Sequence, residues 1–118
     1  MDRKQKGNRG EAIACAYLKE QGFKILEQNY RCKIGEVDIV ARDGEYLVFV
    51  EVKYRKTAAH GLPQESVNFP KQKKISATAG YYLMTHNQCE NVSVRFDVVS
   101  VLGEKVTLIK NAFPYCLG

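Results

Sequence analysis

Two runs rich in β-branched and aromatic residues, 35–41 and 46–54, flank the polar stretch Arg42-Asp43-Gly44-Glu45. Asp-Gly between such runs signals a β-hairpin, because both turn residues must accept positive φ. Upstream, residues 8–21 place Ala14, Cys15 and Leu18 at helical spacing, with Asn8 the expected N-cap and Gly22 the expected stop. Glu11 falls on that same apolar stripe, three and four residues ahead of Ala14 and Cys15, and a carboxylate there calls for an explanation. Residues 23–30 read as a short strand, and the polar stretch 55–61 as a loop. Pro70 opens a second helix reaching about Met84, with Ile75, Ala79, Tyr82 and Leu83 available for packing. Strands at 93–101 and 105–110, joined at Gly103-Glu104, follow. The order predicts an α/β fold, a mixed five-stranded sheet flanked by helices, in a single domain over 1–118.

The hairpin carries the candidate chemistry. With Asp43-Gly44 as a two-residue turn, Arg42 faces Glu45, Asp38 faces Phe49 and Glu36 faces Glu51. Alternation then puts Glu36, Asp38, Glu51 and Lys53 on one face, and Val37, Ile39, Val48, Val50 and Val52 on the other. The second face is wholly apolar and expected to be buried. The first is apolar near the turn (Val40, Leu47, Phe49) and charged further away. A turn one residue longer would break this parity.

Crowded carboxylates in a low-dielectric place raise one another's pKa and oppose folding, and a divalent cation resolves the conflict. Magnesium or manganese suits hard oxygen ligands. The expected ligands are Asp38, Glu51 and the Val52 carbonyl, with Glu11 an outer or second-metal carboxylate. Lys53 would orient a bound water or offset developing charge. The catalytic candidates are therefore Glu11, Asp38, Glu51 and Lys53. The plainer reading of Glu51-Val52-Lys53 is a solvated ion pair on a strand. Its position after Leu47-Val48-Phe49-Val50, at the end of a central strand, favours the chemical one.

Composition narrows the partner. The 118 residues carry a formal net charge of +5 and an isoelectric point near 9.0, which favours a polyanion. Cys15, Cys32, Cys89 and Cys116 form no C-x-x-C pair, and of the histidines only His86 comes near a cysteine, Cys89, so no four ligands cluster at short spacings, which argues against zinc. The start Met1-Asp2-Arg3-Lys4-Gln5-Lys6 lacks an apolar targeting segment, and no apolar run approaches bilayer length. The expectation is a cytoplasmic protein with reduced thiols and no membrane partner.

These residues are similar to the PD-(D/E)xK nuclease superfamily, the fold of many restriction enzymes and archaeal Holliday-junction resolvases. More closely, Gly10-Glu11 with Ala16-Tyr17-Leu18, then Gly35 to Ala41, Leu47 to Lys53, Arg95 to Val99 and Asn111-Ala112-Phe113 resemble the YraN-type bacterial family. The resemblance implies a restriction-endonuclease-like core, a metal site at Asp38 and Glu51, a catalytic Lys53 and Glu11 as the helix carboxylate. It implies no particular substrate. The motif's proline is absent, since Val37 precedes Asp38.

Lys71, Gln72, Lys73 and Lys74 sit in the first turns of the second helix, where positive charge opposes the helix dipole and an anion would offset it. The expected nucleic-acid contacts are Arg55, Lys56, Lys71, Gln72 and Lys73, against the alternative of a solvated basic face. His60 reads as a loop histidine, Asp97 as structural, and Tyr81 and Tyr82 as core or interface. Glu36 is expected to pair with Lys33 or Arg31, or to support the site. The functional expectation is Mg²⁺-dependent phosphodiester hydrolysis, of DNA foremost, in branched or processed structures. The alternative is a nucleic-acid-binding or assembly module that keeps the nuclease fold without turnover. A chain this short cannot enclose a duplex, so a homodimer offering two sites fits the first expectation.

Overall fold

The computed structural model describes residues 3–55, 67–86 and 92–116, with side chains from Arg9 onward. The elements in chain order are α1 (Arg3–Glu20), β1 (Lys24–Arg31), β2 (Glu36–Asp43), β3 (Tyr46–Arg55), α2 (Phe69–Thr85), β4 (Ser93–Leu102) and β5 (Lys105–Ile109). The strands form one sheet in the order β1-β2-β3-β4-β5. Only β3 and β4 run parallel, since α2 lies between them as the crossover; the other pairs are antiparallel. This is the expected mixed sheet, with the layout of a restriction-endonuclease-like core.

Each face of the sheet has its own core. On one, Ala14, Cys15 and Leu18 of α1 close over Ile39, Ala41, Val48, Val50, Val99 and Val101. On the other, Ile75, Ala79, Tyr82 and Leu83 of α2 close over Val40, Leu47, Phe49, Phe96 and Val98. Two faces buried at once explain why β3 reads as a nearly continuous apolar run. No helix among the described residues is long and apolar enough to cross a membrane.

Helix α1 starts at Arg3, so Asn8 is an interior residue and not its cap. Arg, Lys and Gln are good helix formers and carry the helix back past the apolar stripe. The stop is as expected. Gly22 has φ +94, its N–H donates to Lys19 O at 3.0 Å, and the Phe23 N–H donates to Leu18 O at 2.9 Å. That is a Schellman closure, which needs the left-handed glycine. Helix α2 is capped by Asn68, whose Oδ1 accepts from the Lys71 N–H at 3.0 Å, and Pro70 sits inside the first turn.

The hairpin register differs from the expected one. Asp43 pairs with Tyr46, Arg42 with Leu47 and Ile39 with Val50, so Gly44-Glu45 form the loop. Positive φ falls on Gly44 alone of these four residues, as a type II′ loop requires. Asp43 is held in the ladder because its Oδ2 accepts from Arg95 at 2.8 Å and lies 3.4 Å from Lys110 Nζ. Arg95 also donates twice to Asp97, at 2.9 Å each, and Asp97 is fully buried and accepts from the Asn111 N–H. This network ties β4 to the hairpin and makes Asp97 structural. Val37 is a second difference. It packs with Tyr30 in the α2-side core rather than beside Ile39. The strict alternation lapses there, where Asn29 on β1 takes φ +54 and the β2–β3 pairing has ended.

Candidate active site

The corrected register brings the carboxylates closer than the expected one. Continued one step past Ile39–Val50, it sets Asp38 opposite Glu51, where the expected register had set Phe49 opposite Asp38. At this end of the hairpin the Val52 N–H donates to Asp38 Oδ2 at 2.8 Å. The Asp38 and Glu51 side chains act on each other there, and the Asp38 charge is one cause that raises the pKa of Glu51.

Burial is the larger cause. Glu51 is 9% exposed, beside Val98 on β4 in the parallel register. Burial first and the Asp38 charge second push its pKa up to about 7. Burial likewise raises Asp38, partly offset by the Val52 N–H. Lys53 Nζ lies 3.8 Å from Glu51 Oε1, and the charge of Lys71 on α2 acts on both acids. The pair is therefore flanked by cations without being neutralised by them.

Glu11 reaches the same end of the sheet from α1. Gly10 permits this, because a Cβ there would stand 3.0 Å from Tyr54 Cβ on β3. Burial raises the Glu11 pKa, and the Asp38 charge raises it further, while a hydrogen bond with the Asn29 side chain lowers it. Glu36, exposed, pairs with Arg31 at 3.1 Å.

The chemistry of the donors decides which groups fit a metal. Asp38 and Glu51 offer hard oxygens on facing strands, and a cation would offset the charge they carry when both are ionised. Among the described residues, no three His, Cys, Asp or Glu side chains converge on one metal position. Asp38 and Glu51 are the two carboxylates that would hold a magnesium or manganese ion, which would take its other ligands from water and backbone. Glu11 stands beside the pair.

The family model described as "Uncharacterised protein family UPF0102" matches residues 10–101. The chain belongs to this family. It is similar to UPF0102 proteins of Lachnoclostridium phytofermentans (51% identical, covering 96% of each chain) and Syntrophus aciditrophicus (49%, covering 95% of this chain and 91% of the other). A UPF0102 protein of Clostridioides difficile is 48% identical over 96% of this chain and all of its own. The YraN-type resemblance is the same relationship, and the matched segment contains Glu11, Asp38, Glu51 and Lys53.

The expected nucleic-acid contacts of this UPF0102 chain divide. Lys71 lines a cleft on the α2 side and its charge acts on both carboxylates. Lys73 lies about 200° further round the helix at about 100° per residue, with its ammonium 5.7 Å from the Phe69 ring centre. The Gln72 side chain donates to Val67 O at 2.9 Å and accepts from the Cys116 thiol at 3.6 Å. Arg55 ends β3, where its carbonyl accepts from the Gly103 N–H at 3.0 Å. Lys56 and His60 lie outside the described residues, as does Cys89.

Sequence reasoning missed a cleft of about 320 Å³ whose walls include Arg31, Gly35, Glu36, Lys71, Lys74 and Ile75. Its one local signal was the spacing of Lys71 and Lys74, three apart and so on one helix face.

Proposed function

We propose that the chain is a metal-dependent nuclease that hydrolyses phosphodiester bonds of nucleic acid, DNA foremost, at the Asp38–Glu51 end of the hairpin. The observation that carries this is the buried carboxylate pair, which opposes folding when ionised and is built on two interior strands just past the last β2–β3 pair. A fold gains nothing in stability from such a pair, whereas a phosphoryl-transfer site needs one. The order of parts, a helix carboxylate followed by a hairpin carrying Asp and Glu-x-Lys, supports a place in the PD-(D/E)xK superfamily.

In this reading Asp38 and Glu51 hold the ion, and the Asp38–Val52 hydrogen bond fixes one carboxylate so that it need not reorganise. A bound magnesium or manganese ion supplies charge neutralisation at the scissile phosphate and a water of lowered pKa. Lys53, tethered to Glu51, points a donor at the same place and orients the attacking water or offsets charge on the phosphoryl oxygens. Lys71 draws the phosphate toward the pair, and Glu11 accepts a proton or orders water at its edge.

The test is cleavage of labelled DNA by the wild type and by Glu51→Gln. Metal-dependent cleavage lost in the variant supports the reading; equal cleavage removes it. One observation favours the second reading, a nucleic-acid-binding module without turnover: the described residues supply two converging carboxylates and no third.

A further inference from the structure

The cleft neighbours the carboxylate pair through Glu36, two residues before Asp38 on β2, and through Lys71. Lys71 lines it and its charge acts on both Asp38 and Glu51, while Glu36 lines it and its charge acts on Asp38. Three cations, Arg31, Lys71 and Lys74, face it against one carboxylate, Glu36, which is paired with Arg31 at 3.1 Å. Among the described residues neither Lys71 nor Lys74 has an ion-pair partner. Lys74, with no ion pair among the described residues, and Lys71, shared with the carboxylate pair, make this concavity a site for an anion.

Shape limits which anion. At about 320 Å³ the cleft stands at the lower end of the range for small-molecule pockets, about 300–1,000 Å³, enough for one nucleotide unit. A duplex would lie across its mouth. Its narrowness is built in: a Cβ on Gly35 would stand 2.8 Å from Thr78 Oγ1 and 3.3 Å from Lys74 Cγ, so α2 and the β1–β2 connection touch there. The Thr78 hydroxyl donates to Lys74 O at 2.8 Å, which fixes that turn of α2. Ile75 adds an apolar wall for a sugar or a base face.

We propose that this cleft seats the phosphate of an unpaired nucleotide, so that the preferred nucleic acid carries a single-stranded segment beside the bond to be cut. This rests on the nuclease reading for the cut, but not for the binding. Lys74 and Lys71 contact the phosphate, and Arg31 joins them by leaving Glu36. Blunt duplex gains nothing from the cleft.

Binding by the 118-residue chain, without divalent metal, separates the possibilities by fluorescence anisotropy on a blunt duplex and on the same duplex with a single-stranded tail. Lys74→Ala should weaken tailed DNA about tenfold and blunt duplex less than twofold. On tailed DNA the slope of log K against log salt should become shallower by about 0.7, one contact on a single strand. Lys74→Arg should restore binding, and Lys105→Ala, on β5, should leave both affinities unchanged. Lys74→Gln with an unchanged melting curve guards against misfolding. Equal losses on both DNAs, or none, overturn the proposal. Adding Mg²⁺ separates it from the nuclease reading. Lys74-dependent tail binding without cleavage by the wild type sinks the nuclease and leaves the cleft. Cleavage with no Lys74 dependence does the reverse.

Discussion

The Val52 N–H donates to Asp38 Oδ2 at 2.8 Å, so a side chain of β2 takes up a backbone donor of β3 just where their ladder ends. The same carboxylate that raises the pKa of Glu51 therefore also satisfies the backbone beside it. Its two roles can be separated by substitution.

Asp38→Asn keeps an oxygen for the Val52 N–H and removes the charge; Asp38→Ala removes both. The Asn variant should be the more stable by about 1–3 kcal/mol, the cost of an unsatisfied buried donor. Urea denaturation measures this. In the Asn variant the pKa of Glu51 should fall, because the second cause of its rise is gone.

Glu51 makes stability depend on pH with a definite sign. Its folded pKa of about 7 exceeds the ordinary value of 4.5, so between these values the folded state binds more protons than the unfolded one. Its stabilising contribution is full below 4.5 and is lost as pH rises through about 7. Without metal, the melting temperature of the wild type should fall across that window relative to Glu51→Gln. Millimolar Mg²⁺ should narrow the difference by favouring the ionised pair.

Arg95 tests the structural network separately from the site. Arg95→Ala strands the fully buried Asp97 and loosens Asp43. Breaking a buried pair in this way costs about 3–5 kcal/mol. A chemical denaturation midpoint should register the loss, and metal binding should persist wherever the variant is folded.

Lys53→Met should lower the turnover rate at least tenfold while changing Mg²⁺ affinity less than threefold, since Lys53 reaches the reacting group rather than the ion. Single-turnover cleavage and metal titration of the same preparation compare the two. The reverse pattern would make Lys53 a positioning residue for Glu51.

Local pattern was enough for the elements and for the acids. Period-two alternation exposed Glu51 and Lys53 on β3, and helical spacing exposed Glu11 on the α1 stripe. Register was not legible, because Asp43 is kept out of the turn by Arg95, which comes 52 residues later. Val37 changed sides beyond the last β2–β3 pair, beside a stretch of β1 that carries the left-handed Asn29, which local pattern does not announce. The cleft was invisible because Arg31 and Lys74 meet only once α2 packs on the β1–β2 connection at Gly35. Lys73, indistinguishable from Lys74 by type, lies on another face of the same helix.

The central claim is that Asp38 and Glu51 form a divalent-metal site, and calorimetric titration of Mg²⁺ and Mn²⁺ tests it most directly. The wild type should bind, alone or with DNA present, and Asp38→Ala should lose that binding under both conditions. If the wild type binds neither ion even with DNA, or Asp38→Ala binds as well as the wild type, the carboxylate pair is not the metal site and the account is contradicted.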